Sequence, residues 1–144
     1  LDGIVMAAAA LIRLGMEDRI SEYLSTEDFI PAVGQGALGI EIRANDARTY
    51  EIVAPLDHQP SCQCVTAERS FLRALGGGCR APIAALGIVE DEKLSLNGIV
   101  SDPQGNTILH ASIEGSASEP ERVGRELAAK MIDMGAESLV EKGQ

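Results

Sequence analysis

The residues whose types and spacing best suit them to chemistry surround one sulfur: Gly76-Gly77-Gly78-Cys79-Arg80-Ala81-Pro82-Ile83. Consecutive glycines end any helix that reaches them, because glycine adopts the left-handed conformation of a helix end without steric cost. They also remove side-chain bulk on the approach to Cys79. Pro82 fixes its own φ and lacks an N–H, so no helix restarts there. Arg80 sets a cation beside the thiol, which favours thiolate, the nucleophilic form of cysteine. The pattern predicts a short bare loop that offers a reactive sulfur to something large. The plain alternative is a free cysteine in a glycine turn.

A second group with binding chemistry is Arg13, the one cation in the nearly apolar run from Ile4 to Leu14. On the last turn of a helix it either caps the C-terminal end of the dipole or grips a carboxylate with its planar fork. Gly34-Gln35-Gly36-Ala37-Leu38-Gly39 spells G-x-G-x-x-G. A dinucleotide site needs a strand before that motif and a helix after it. Here Leu38, Ile40 and Ile42 alternate like a strand and no βαβ unit surrounds them, so the glycines read as a hinge or chain crossing. Cys62 and Cys64 diverge on a helix, and no histidine or further cysteine completes a metal-ligand set; no metal is expected. Cys64 reads as core. His58 reads as a solvated linker residue and His110 as exposed.

Three stretches carry a resemblance, in order along the chain: VMAAAALIRLGMEDRISEYL, PAVGQGALGIEIR and AERSFLRALGGGCRAPIAALG. Together they resemble the porphobilinogen deaminase (hydroxymethylbilane synthase) family, over essentially the whole sequence. The resemblance implies a transferase of tetrapyrrole biosynthesis. It would join porphobilinogen units head to tail into linear hydroxymethylbilane, releasing ammonia at each addition. The family cysteine that matches Cys79 carries a dipyrromethane cofactor through a thioether, the primer of the growing pyrrole chain. By the same resemblance Arg13 matches a pyrrole-carboxylate-binding arginine, and Gln35 and Gly36 match residues facing the cleft. The family's catalytic Asp belongs to an N-terminal half with no counterpart here, so this chain alone is expected to be inactive. The third glycine, Arg80 and Ser61-Cys62-Gln63-Cys64 depart from the common family pattern and leave the Cys79 position intact.

Bulk properties agree with a globular protein. The 144 residues suffice for a domain with a core, at 45% hydrophobic and 3% aromatic content. The mean hydropathy is +0.05. That core must be aliphatic and alanine-rich. A formal net charge of −10 argues against a nucleic-acid surface. No apolar run is long enough to span a bilayer and no secretory signal pattern opens the sequence, so no membrane role is expected. Three cysteines are too few and too odd a set for a disulfide framework, which suits a reducing cytoplasm. The sequence begins at Leu1 inside an apolar pattern, as a fragment would. The full-length family member is expected to be a monomer, and the fragment to self-associate through apolar surface that it leaves bare.

The positioning elements follow from periodicity. A buried helix is predicted over Ile4 to Leu14, a short amphipathic one over Glu17 to Leu24, and a third from an Asn45 or Asp46 cap to about Ala54. Pro55 and Pro60 bracket a second hinge. A helix from about Ser61 to Leu75 follows, with Cys64, Ala67, Phe71, Ala74 and Leu75 on its core stripe and Glu68-Arg69 on a polar face. Three strands are expected at Ala84 to Val89, Leu94 to Val100 and Thr107 to Glu114, joined by Glu90-Asp91-Glu92 and Asp102-Pro103-Gln104-Gly105. Ser118 and Glu121 form a capping box for a last long helix, whose stripe is Val123, Leu127, Met131 and Met134.

The fold class is therefore α/β overall, with a C-terminal α+β unit: a three-stranded antiparallel sheet with helices on one face. The expected division is 1–33 (part of the family's second domain), 34–58 (a crossing strand and helix with a hinge) and 59–144 (the cofactor-attachment domain). Two competing functions remain open on the residues alone. One is a non-catalytic binding or oligomerisation module; the other is a metal or redox protein using Cys62, Cys64 and Cys79.

Overall fold

The computed structural model describes residues 2–76 and 82–141. Cys79, Arg80 and the glycines at 77 and 78 lie outside the described residues. Its ordered centre is a sheet of three antiparallel strands, β1 (Ile83–Glu90), β2 (Lys93–Ser101) and β3 (Ile108–Ser116), in the order β1-β2-β3. Two long helices, α3 (Gln59–Ala74) and α4 (Pro120–Asp133), pack on each other and cover one face of it. Before them come α1 (Ala8–Arg13) and α2 (Ala47–Val53), and a short α5 (Ala136–Glu141) follows.

Local chemistry accounts for these elements. Pro60 sits in the first turn of α3, where its missing N–H costs nothing, so the helix starts earlier than the hinge reading predicts. Leu75 caps α3, and Gly76 follows with φ +69°. Strands β1 and β2 pair from Ile83↔Val100 to Glu90↔Lys93, which leaves Asp91-Glu92 as a two-residue turn. Both turn residues have positive φ, 46° and 65°, the geometry that matches strand twist in tight hairpins. The β2–β3 turn is organised by Asp102, whose carboxylate accepts from the amides of Gln104, Asn106 and Thr107 at 2.8, 3.1 and 2.7 Å.

The core is aliphatic, as composition demands. Phe71, Leu94, Leu96, Val100, Val123, Leu127 and Met131 are fully buried, each contributing about 1.5–3 kcal/mol. Gly124 lets α4 approach α3 closely: a Cβ there would collide with the Ala67 carbonyl oxygen, the Ser70 side chain and the Phe71 amide. Ser70, itself buried, donates to the Glu121 carbonyl at 2.9 Å across the same contact.

Several expectations need correction. The capping box does not form: Glu119 is the N-cap of α4 without a side-chain cap bond, and its carboxylate pairs with Arg122 at 2.7 Å instead. Ser118 meets the Ser116 hydroxyl at 2.8 Å. Ala74 and Met134 are exposed because each stands where its helix ends. In the N-terminal part, the helix predicted over Ile4 to Leu14 shrinks to α1, and Ile4 is 72% exposed. Isolated short helices are marginal unless a face is packed, and α1 packs mainly on the adjacent 3₁₀ turn Glu17–Arg19. That turn is all that forms of the helix predicted over Glu17 to Leu24. Leu38, Ile40 and Ile42 alternate as a strand would, yet no described strand pairs with them, and unpaired backbone makes no ladder. Asp46 does cap α2, accepting from the Thr49 amide at 3.0 Å.

Candidate functional site

The segment Gly34-Gln35-Gly36 forms a tight double turn. The Gln35 amide donates to the Ala32 carbonyl at 2.9 Å and the Ala37 amide to the Gly34 carbonyl at 3.2 Å. Gly34 and Gly36 have φ +75° and +83°, which a side chain would strain. Gln35 and Gly36 are exposed, and the space beside Gly36 is open. With the Gly34, Gln35 and Ala37 amides already donating within the chain, the turn leaves the Gly36 amide and the Gln35 carboxamide for an incoming polar group.

What fixes this turn is Glu68, which is 5% exposed. Its Oε2 accepts the Gly34 amide at 2.7 Å and its Oε1 accepts the Gly87 amide at 2.9 Å. Gly87 lies on β1 where a Cβ would stand 3.0 Å from the Cα of Cys64, so a side chain there would push β1 and α3 slightly apart. One carboxylate thus joins the turn, α3 and the sheet. Burial pushes the Glu68 carboxyl above the ordinary glutamate range, against the pull of the two amides and of Arg69. This corrects the reading of Glu68 as part of a polar face. The signal was present: residues 64, 68, 71 and 75 fall on one helical stripe.

Arg13 ends α1, exposed and without an ion pair among the described residues. The positions brought together are Gln35, Gly36 and α3, whose C-terminal end leads into the residues that carry Cys79. Cys64 is half-buried against the core, and burial raises its thiol pKa, with help from the Glu68 charge. Cys62 is exposed. No cluster of metal-ligating side chains occurs among the described residues. His58 is exposed, with Nδ1 2.8 Å from the Ser61 hydroxyl, and His110 is exposed on β3.

A groove of about 660 Å³ runs beside the turn, between residues 36–42, α2 and α3; Leu38, Ile40, Tyr50, Leu56 and Val65 give it an apolar floor. A separate cavity of about 440 Å³ near Gln63, Val89 and Ser118 contains none of the candidate residues. No helix among the described residues is long and apolar enough to cross a membrane.

The fold and the turn define a class: a small α+β unit whose first long helix anchors a glycine-rich crossing segment. The comparisons identify it. Residues 62–133 match the family model "Porphobilinogen deaminase, C-terminal domain", and residues 1–51 match "Porphobilinogen deaminase, dipyromethane cofactor binding domain". The porphobilinogen deaminase of Carboxydothermus hydrogenoformans is 44% identical over 99% of the chain and 46% of its own length. That of Moorella thermoacetica is 46% identical over 99% of the chain and 45% of its length. That of Acidithiobacillus ferrooxidans is 45% identical over 97% of the chain and 45% of its length. The chain belongs to the porphobilinogen deaminase family. It spans about half the length of the curated relatives it matches.

Proposed function

We propose that this chain is the cofactor-bearing part of a transferase of tetrapyrrole biosynthesis. The whole enzyme polymerises porphobilinogen into linear hydroxymethylbilane with release of ammonia. The observation that carries the reading is the pair of family matches, 1–51 and 62–133, in family order along one chain. The proposed division of labour puts 1–33 with the family's second domain, 34–58 in the crossing between domains, and 59–144 in the domain that holds the cofactor. The partners are porphobilinogen and the growing pyrrole chain, in the cytoplasm.

The chemistry of the donors suits a dipyrromethane. Such a group carries several carboxylates. The exposed Arg13 guanidinium would hold one, and the Gln35 carboxamide with the Gly36 amide would hold another. Cys79 would supply the thioether sulfur, its thiolate, favoured by the adjacent Arg80, adding to the methylene carbon from which ammonia has left. When bound, the group serves as a tethered primer, so that each addition meets it at high effective concentration. The groove beside Gly36 offers apolar walls to pyrrole rings.

The family's catalytic Asp has no counterpart here, so the chain alone does not turn over. The test is to purify the chain alone and together with the portion of the Carboxydothermus protein that it does not span, then supply porphobilinogen. Tetrapyrrole is expected only from the combination, and not from the combination carrying Cys79→Ser. Product from the chain alone overturns the proposed inactivity; full product with Cys79→Ser overturns the role of the sulfur.

A further inference from the structure

We propose that Glu68 is a positioning residue: through Gly34 and Gly87 its buried carboxylate locks the Gly34-Gln35-Gly36 turn to α3 and the sheet. It thereby sets where Gln35 and Gly36 stand relative to the helix that leads to Cys79. The inference rests on the function proposed above for those residues, but its geometry is independent of it. Each oxygen of Glu68 takes a different amide, one on the crossing turn at 2.7 Å and one on β1 at 2.9 Å. A buried acceptor with two donors from distant parts of the chain is a staple; removing it orphans both amides. Val33, just before the turn, also packs on the core, so the turn is held from two directions. Neither Gly34 nor Gly87 offers a side chain to do the same work.

Glutamine is not a substitute, because its amide nitrogen would face one N–H with another donor. Aspartate is too short to reach both. The charged or titratable groups acting on Glu68 are Arg69 and Cys64 on its own helix; the crossing turn and β1 present only backbone amides to it.

Amide NMR on the 144-residue chain across acid to neutral pH tests the clamp. The Gly34 and Gly87 amide protons are expected to shift together, with one midpoint above the ordinary glutamate range. Glu68→Gln should abolish that shared titration and speed Gly34 amide exchange about tenfold or more. The amides bound to Asp102 should titrate unchanged in the same variant, which shows that the fold persists. The wild-type spectra decide the matter even if the variant fails to fold. Independent titration of Gly34 and Gly87, or none, overturns the clamp whatever Cys79 carries. A shared titration, together with an assembled, active protein whose Cys79 stays unmodified, keeps the clamp and removes the cofactor reading.

Discussion

The Glu68 carboxylate accepts the Gly34 amide at 2.7 Å, joining two residues far apart in the sequence. Replacing Glu68 by alanine leaves the part-buried Gly34 amide and the buried Gly87 amide without an acceptor. A loss of about 1–3 kcal/mol is expected in urea unfolding, the cost of an unsatisfied buried donor. The pH dependence has a definite sign. Burial raises the folded-state pKa of Glu68, so ionising it works against folding. The contribution is fully present below the unfolded-state pKa and declines as pH rises through the raised folded value. Urea midpoints across that window should fall in the wild type, and Glu68→Gln should remove the part of the slope due to Glu68.

The opposite slope belongs to Asp102. Partial desolvation pushes its pKa upward, but the amides of Asn106, Thr107 and Gln104 outweigh it and hold the carboxyl below the ordinary aspartate value. Its contribution is present above the unfolded-state pKa and lost as pH falls through the depressed folded one. Asp102→Asn should flatten the acid limb of the stability profile, read from thermal midpoints at a series of pH values.

Gly124→Ala should destabilise the protein although alanine is the better helix former. The added methyl would meet backbone of α3 at Ala67 and Phe71, which cannot yield as a flexible side chain would. Overpacking of this kind costs about 1–3 kcal/mol, more than the roughly 1 kcal/mol gained in helix propensity. Urea unfolding measures the balance; a more stable variant would contradict the close packing of α3 on α4.

Leu38, Ile52 and Leu56 are 90%, 67% and 69% exposed, and Ile4 and Tyr50 are exposed as well. Apolar surface on that scale favours association. Sedimentation of the purified chain should show dimers or larger species that dissociate on dilution, and a compact monomer at all concentrations would contradict this.

The C-terminal half was legible in the sequence because its signals are local. Alternation marks β2 and β3, Asp102-Pro103-Gln104-Gly105 marks their turn, and Val123, Leu127 and Met131 mark the buried stripe of α4. The N-terminal part was overread. The apolar patterns of Ile4 to Leu14 and of Leu38 to Ile42 call for a covering surface, and the described residues provide none. Glu68 escaped notice for a different reason. Its partners, Gly34 and Gly87, are far away in sequence, and only tertiary packing reveals that a charge on the core stripe is satisfied. Of the candidate site, the Gly34-Gln35-Gly36 crossing was legible from its glycines; its attachment to α3 was not.

Intact mass of the chain assembled with the remainder of a curated relative, after supply of porphobilinogen, tests the sulfur's role most directly. The account predicts a mass increase equal to one dipyrromethane, located on the peptide containing Cys79 and absent from Cys79→Ser. An assembled, active protein whose Cys79 peptide stays unmodified would contradict it.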